Sequence, residues 1–316
     1  MGYFLVYILS MAKINFDEIE ETADFHQAKL VKARPLIEKY FRTAKKRVYK
    51  KTEITSIFSE HKKEWRIPSE ISLPKIINFL SQNSSLKEIE IPSTYEFTEK
   101  RFGWGSISPY EIATSLRKNS YLSHGSAVFL HALNDQIPHT IYLNYEQSEK
   151  PASKGELTQT GIDRAFANNQ RKSNLSFFFE SDYEITIING KRTNRLEVIE
   201  MTHQDVLLPV TGIERTLIDI TVRPAYAGGV FQVFEAFKTA KDKVSVNVLI
   251  ATLKKMKYVY PYHQALGFYM ERAGYPQKLW SRLLQMGIEY NFYLAHHLPK
   301  KKNFDEQWKL YYPDGF

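Results

Sequence analysis

Between Tyr121 and Leu143 the chain gathers residue types that serve several chemistries. The span "YLSHGSAVFLHALNDQIPHTIYL" holds a Gly-Ser pair, three histidines and an aspartate. A Gly-Ser turn ahead of two carboxylates one residue apart would hold magnesium for nucleotidyl transfer. Here Gly125-Ser126 precedes Asp135, but Ile137 fills the second carboxylate position, and Asp163 stands far downstream beside Arg164. A serine nucleophile needs a base within hydrogen-bond reach and an oxyanion hole, and there is no Gly-x-Ser-x-Gly elbow. His124 and His131, seven apart, can share a helix face, yet a zinc site needs three or four ligands. His124, Ser126 and Asp135 are therefore expected to be structural. A helix from about Ser123 to Leu133 burying Ala127, Val128, Leu130 and Ala132, a turn at "NDQIP" and a strand "HTIYLNY" account for the stretch. Neither a catalytic residue, a cofactor nor a metal is expected.

Such side chains act only where helices and strands hold them, and composition bounds what those can be. With 316 residues, 43% hydrophobic and 25% charged, the chain is long enough for two globular domains with sizeable cores. The absence of cysteine excludes disulfides, zinc-thiolate sites, iron-sulfur clusters and thiol nucleophiles, and fits a cytoplasmic setting. The apolar opening "MGYFLVYILS" has no preceding Lys or Arg and no small-residue cleavage pattern, and it is too short to span a bilayer. It is either a short N-terminal strand or the product of a start codon upstream of a true start at Met11. No later apolar run suffices for a membrane helix, so no membrane partner is expected. The formal charge of +8 is uneven: Asp24 to Arg101 carries 17 Lys and Arg against 10 Asp and Glu, a net of +7. A basic head on a nearly balanced body fits nucleic-acid binding better than a uniformly basic enzyme.

Within that head, "RPLIEKYFRTAKKR" places Leu36, Ile37, Tyr40 and Phe41 on one helical stripe with Pro35 near the first turn. "TEITSIFSEHKKEW" repeats the pattern with Ile54, Ile57, Phe58 and Trp65 behind Thr52 as N-cap. In "SLPKIINFLSQNSS", capped by Ser72, the residues Ile76, Ile77, Phe79 and Leu80 face inward, leaving Lys75, Asn78, Ser81, Gln82 and Asn83 outward. These are side chains of the kind that reach base edges or phosphates. Two alternating runs, "LKEIEI" and "TYEFTEKRF", follow across Pro92 and Ser93. The order predicts a winged helix-turn-helix whose third helix enters the major groove and whose wing lies along the backbone. Lys75, Asn78, Gln82 and Asn83 are the expected recognition residues, with Lys45, Lys46, Arg47, Lys50, Lys51, Lys100 and Arg101 on phosphates. Double-stranded DNA is the expected partner.

Gly103 and Gly105 mark a joint, so the expected domains are an extension at 1–23, a winged helix-turn-helix at 24–102 and a larger mixed α/β domain at 103–316, an α+β chain overall. Ser108 and Glu111 form a capping box, as do Thr211 and Glu214. "SFFFESDYEITIINGKRTNRLEVIEM" predicts strands with a hairpin at Asn189-Gly190. Arg215 and Asp219 lie one helical turn apart and can pair. "VFQVFEAFKTA", "VNVLIATLKKM", "HQALGFYMERAG" and "LWSRLLQMG" predict helices.

Three stretches, "SHGSAVFLHALNDQIPHTIYL", "LPVTGIERTLIDITVRPAYAGGV" and "NFYLAHHLPKKKNFDEQWKLYYPDGF", resemble in content and order the AbiEi antitoxins of type IV toxin-antitoxin systems. The resemblance implies an N-terminal DNA-binding domain that represses the protein's own promoter and a C-terminal domain needed for antitoxicity. It further implies a partner gene for a nucleotidyltransferase toxin, countered without a stable complex. The second helix and its linker are longer than in shorter family versions, which leaves the exact recognition helix open. A nucleic-acid-modifying enzyme with its active site in the C-terminal domain is the alternative.

Overall fold

The computed structural model describes residues 16–149 and 156–316, with side chains from Asp24 onward. The apolar opening and the start at Met11 lie outside the described residues. The chain divides into two compact units. One runs up to Glu90 and includes Lys100–Ile107; the other comprises Ile91–Glu99 and Ser108–Phe316. The expected boundary at 102/103 thus falls inside a strand.

In the first unit the order is α1 (Phe16–Thr43), β1 (Val48–Tyr49), α2 (Lys51–His61), α3 (Leu73–Asn83), β2 (Leu86–Pro92) and β3 (Thr98–Trp104). Three helices beside a sheet of order β1-β3-β2 make the element order of a winged helix. Its core is formed by Leu30, Ala33, Ile37 and Phe41 of α1 at helical spacing, Ile54 and Phe58 of α2, Trp65, and Ile76, Phe79 and Leu80 of α3. Pro35 stands inside α1, not in its first turn, because Leu30 and Ala33 extend the buried stripe upstream. An interior proline costs about 3 kcal/mol, and burying Leu30, Ile37 and Phe41 at roughly 1.5–3 kcal/mol each outweighs it. Leu36, expected inside, is 43% exposed. The cap of α2 is Lys50, not Thr52, since Glu53 accepts from the Lys50 backbone N at 2.7 Å.

The second unit holds α4 (Pro109–Leu116), β4 (Tyr121–Leu122), α5 (His124–Leu130), β5 (Thr140–Glu146), α6 (Gln159–Ala167), β6 (Ser176–Phe179), β7 (Tyr183–Gly190), β8 (Val198–His203) and β9 (Val206–Thr211). After these come α7 (Ile213–Val222), α8 (Val230–Ala240), α9 (Val246–Met256), α10 (Tyr262–Arg272), α11 (Gln277–Leu284), β10 (Phe292–Tyr293), β11 (Lys302–Asp305) and β12 (Leu310–Pro313). A mixed six-stranded sheet has the order β6-β7-β5-β4-β9-β8, and a small sheet the order β10-β12-β11. Helices α7 to α10 bury Leu217, Ile218, Phe237, Leu249, Leu266, Phe268 and Tyr269 in one core with Trp308. Residues 91–99, the tip of the β2–β3 hairpin, belong to this unit: Ser93 bridges Phe177 of edge strand β6, and the Thr94 backbone N donates to the Ser176 carbonyl at 3.0 Å. The tip is therefore tied to edge strand β6, where a wing along the DNA backbone was expected.

Several local expectations are corrected. Asn189-Gly190 ends β7, paired in parallel with β5, and forms no hairpin. The tight turn is Gln204-Asp205, both at positive φ between His203 and Val206, the pattern of a type I′ turn. Gly212 caps α7; the Thr211 hydroxyl bonds that of Thr216, and Glu214 accepts from the Ser245 backbone N at 2.7 Å. Helix α5 stops at Leu130, leaving Leu130 half-buried and Ala132 exposed at φ +50°. The Ser108–Glu111 capping box is present, with Glu111 accepting from the Ser108 N at 2.9 Å.

Candidate nucleic-acid interface

Helix α3 turns Ile76, Phe79 and Leu80 into the core, so Lys75, Asn78, Ser81, Gln82 and Asn83 are exposed along its other side. Asn78 and Gln82, one turn apart, touch through Gln82 Nε2 and Asn78 Oδ1 at 3.4 Å, a weak bond easily exchanged for another partner. Asn83 is more constrained, its Nδ2 donating to the Phe79 carbonyl at 2.9 Å.

The expected basic residues do not form one set. Lys45 and Lys51 are exposed, whereas Lys46 pairs with Glu53 at 2.5 Å. Arg47 and Lys50 are half-buried where the chain enters α2. Lys100 reaches Glu88 at 3.1 Å and Glu90 at 2.8 Å, and these bonds hold its ammonium above the usual lysine range. Arg101 is removed from any phosphate-contacting surface: it is 2% exposed and donates to the Lys100 carbonyl at 2.7 Å. The reason is topological, since β3 is the middle strand of its sheet and its last four residues are all buried.

The span read first for chemistry is dispersed. Ser126 Oγ accepts from the Tyr142 backbone N at 2.8 Å, His131 Nε2 meets the Thr211 carbonyl at 2.7 Å, and Asp135 is exposed. Among the described residues, no group of three His, Asp or Glu is placed to hold a metal ion.

A different polar cluster forms around α7. Arg215 and Asp219 of α7 and Arg223 just after its end fall at spacing four and line a recess together with His124, Asn144 and Lys191. Arg215 Nε donates to Asp219 Oδ1 at 2.8 Å with both side chains buried. Burial pushes the Asp219 carboxyl up, against the opposing pull of Arg215. Burial, then the charges of Arg223 and Arg215, hold the His124 imidazole well below the ordinary histidine range. His124 also stands at φ +50°, a strained conformation for a residue with a side chain. The spacing of charges in "IERTLIDITVRP" was the available signal; only the fold reveals that they face inward.

No protein-family model matches the chain, and no curated protein does. Among described residues no helix is long and apolar enough to cross a membrane. Among solved structures, the chain is similar to the RV2827C protein from Mycobacterium tuberculosis, known from a crystal structure, at 14% identity over 87% of this chain and 89% of that chain with a TM-score of 0.53. That likeness is one of fold, and the fold is a mixed α+β one.

Proposed function

We propose that the protein is a cytoplasmic, DNA-binding antitoxin that represses its own operon and counters a nucleotidyltransferase toxin without a stable complex. The observation that carries the DNA-binding part is the exposed amide face of α3, with Lys75, Asn78 and Gln82, in a unit with the element order of a winged helix. The excess of basic residues in Asp24 to Arg101 supports it, since phosphate neutralisation is the general source of affinity for DNA. The antitoxin part rests on the three-stretch resemblance described above. Because the hairpin tip is engaged with β6, nonspecific contacts are assigned to Lys45 and Lys51 rather than to a wing.

Gel shifts with duplex from upstream of the gene, at several salt concentrations, test this reading. Affinity is expected to fall steeply with salt and to exceed that for unrelated duplex at moderate salt. Equal affinity for both duplexes overturns the repressor assignment. Co-expression with a neighbouring nucleotidyltransferase tests the antitoxin assignment, and undiminished toxicity overturns it.

A further inference from the structure

We propose that the recess around α7 binds a small tetrahedral oxyanion that keeps a proton on one oxygen, as hydrogen phosphate does near neutral pH and a phosphomonoester does near its second pKa of about 6.

Charge comes first. Lys191, Arg215 and Arg223 line the recess against a single carboxylate, Asp219. Arg215 is matched by Asp219 at 2.8 Å, and the Lys191 ammonium donates to the Met256 and Lys257 carbonyls at 2.6 and 2.7 Å. The Arg223 guanidinium makes no hydrogen bond or ion pair with a described residue and lies 6.0 Å from the centre of the Tyr226 ring. Glu146 does not supply the missing charge, because its oxygens accept from Tyr121, Thr193 and Arg195. Positive charge held in a protein wall without a counter-charge is unfavourable and attracts an anion.

Two buried atoms then specify which anion. Asp219 Oδ2 and Asn144 Nδ2 have no partner among the described residues, although these residues are only 5% and 3% exposed. Leaving such groups unpaired costs about 1–3 kcal/mol each, more for a charged one, which a ligand can recover. Nδ2 asks for an acceptor and Oδ2 asks for a donor, while Arg223 asks for negative charge. Phosphate near neutral pH carries a proton and meets all three; sulfate carries none and would set a bare oxygen against the Asp219 carboxylate. The room is right for a few heavy atoms, with a cavity of ≈ 70 Å³. The walls are also fixed. His124 Nδ1 is bonded to Ser123 Oγ at 2.8 Å, and a Cβ at Gly190 would collide with the Asn144 amide.

Calorimetric titration of the full chain at about pH 6, where a phosphomonoester is roughly half protonated, with inorganic phosphate, sulfate and adenosine monophosphate tests the proposal. Phosphate or the monophosphate should saturate one site, with sulfate weaker by at least about tenfold, the loss expected for one buried hydrogen bond turned to repulsion. Tighter binding of the monophosphate identifies the phosphomonoester as the source, and binding of phosphate alone identifies the free anion. Arg223→Gln, a half-buried position, should abolish binding and leave the DNA gel shift unchanged. Asp219→Asn, if folded, should bring sulfate up to or above phosphate. Lys51→Gln should leave phosphate binding intact, which separates this site from the α3 surface. Absence of saturable binding by both phosphate and the monophosphate, equal binding of sulfate, or undiminished binding in folded Arg223→Gln overturns the proposal, whatever the outcome with DNA.

Discussion

At the scale of single residues, exposure separates side chains of the same charge. Asn78 and Gln82 are exposed on α3, and Arg101, the last residue of the +7 segment but in the middle strand of a sheet, is not. Replacing Asn78 or Gln82 by alanine should weaken operator binding by about 1–3 kcal/mol and leave nonspecific binding nearly unchanged. Arg101→Ala should instead lower the urea midpoint, because it empties a buried position. Anisotropy titrations and urea melts on the same proteins check both. Unaltered operator affinity in a folded Asn78→Ala, Gln82→Ala double variant would move recognition elsewhere. The basic residues illustrate what one-dimensional reading misses: Lys46 and Lys100 count as free charge in the sequence, yet Glu53, Glu88 and Glu90 lie within ion-pair reach of them.

At the scale of elements, the helices were the most legible part of the chain. Ile54 and Phe58, Ile76 and Leu80, and the stripes of α8 to α11 all follow helical spacing, and burial obeys it. Strand partners were not legible. Asn189-Gly190 has the composition of a type I′ turn, but the parallel pairing of β7 with β5 carries the chain straight through it. The turn between β8 and β9 is made by Gln204-Asp205, which no composition rule favours strongly. Close packing between helix and strand was equally hidden. On α10, a Cβ at Gly267 would strike the ring of the fully buried Trp308, whose Nε1 donates to Glu271 at 2.6 Å. Gly267→Ala should therefore destabilise the protein by about 1–3 kcal/mol despite the better helix propensity of alanine. Chemical denaturation measures this, and an unchanged midpoint would mean that Trp308 can move aside at little cost.

At the scale of the whole molecule, buried histidines set a pH dependence. Burial lowers His124, His131, His263 and His296, His124 most strongly. A histidine with a depressed folded-state value stabilises the fold above the unfolded-state value of 6.5, and that stability is lost as pH falls below it. A histidine that stays neutral when folded loses about 1.4 kcal/mol by pH 5.5. The urea midpoint should fall between pH 7.5 and 5.5, and His124→Asn should make that fall shallower; a pH-independent midpoint contradicts the burial effect. The helix and strand patterns anticipated the α+β class, and the charge count marked the basic segment, because both depend on sums over many residues. It could not anticipate the recess, because Asn144, His124 and Arg223 meet only when β5, α5 and the end of α7 are assembled.

The hairpin tip at residues 91–99 also decides where the chain can be cut. A fragment beginning at Ser108 would carry β6 without the Ser93 bridge and the Thr94 hydrogen bond, and would uncover Phe177, which is fully buried in the intact chain and packs edge-on against Phe97. A bare strand edge beside an exposed phenyl ring is a template for pairing with another copy. Dissecting this protein at its apparent linker would thus yield a self-associating C-terminal piece, and a fragment that behaves as a monomer has to keep the hairpin.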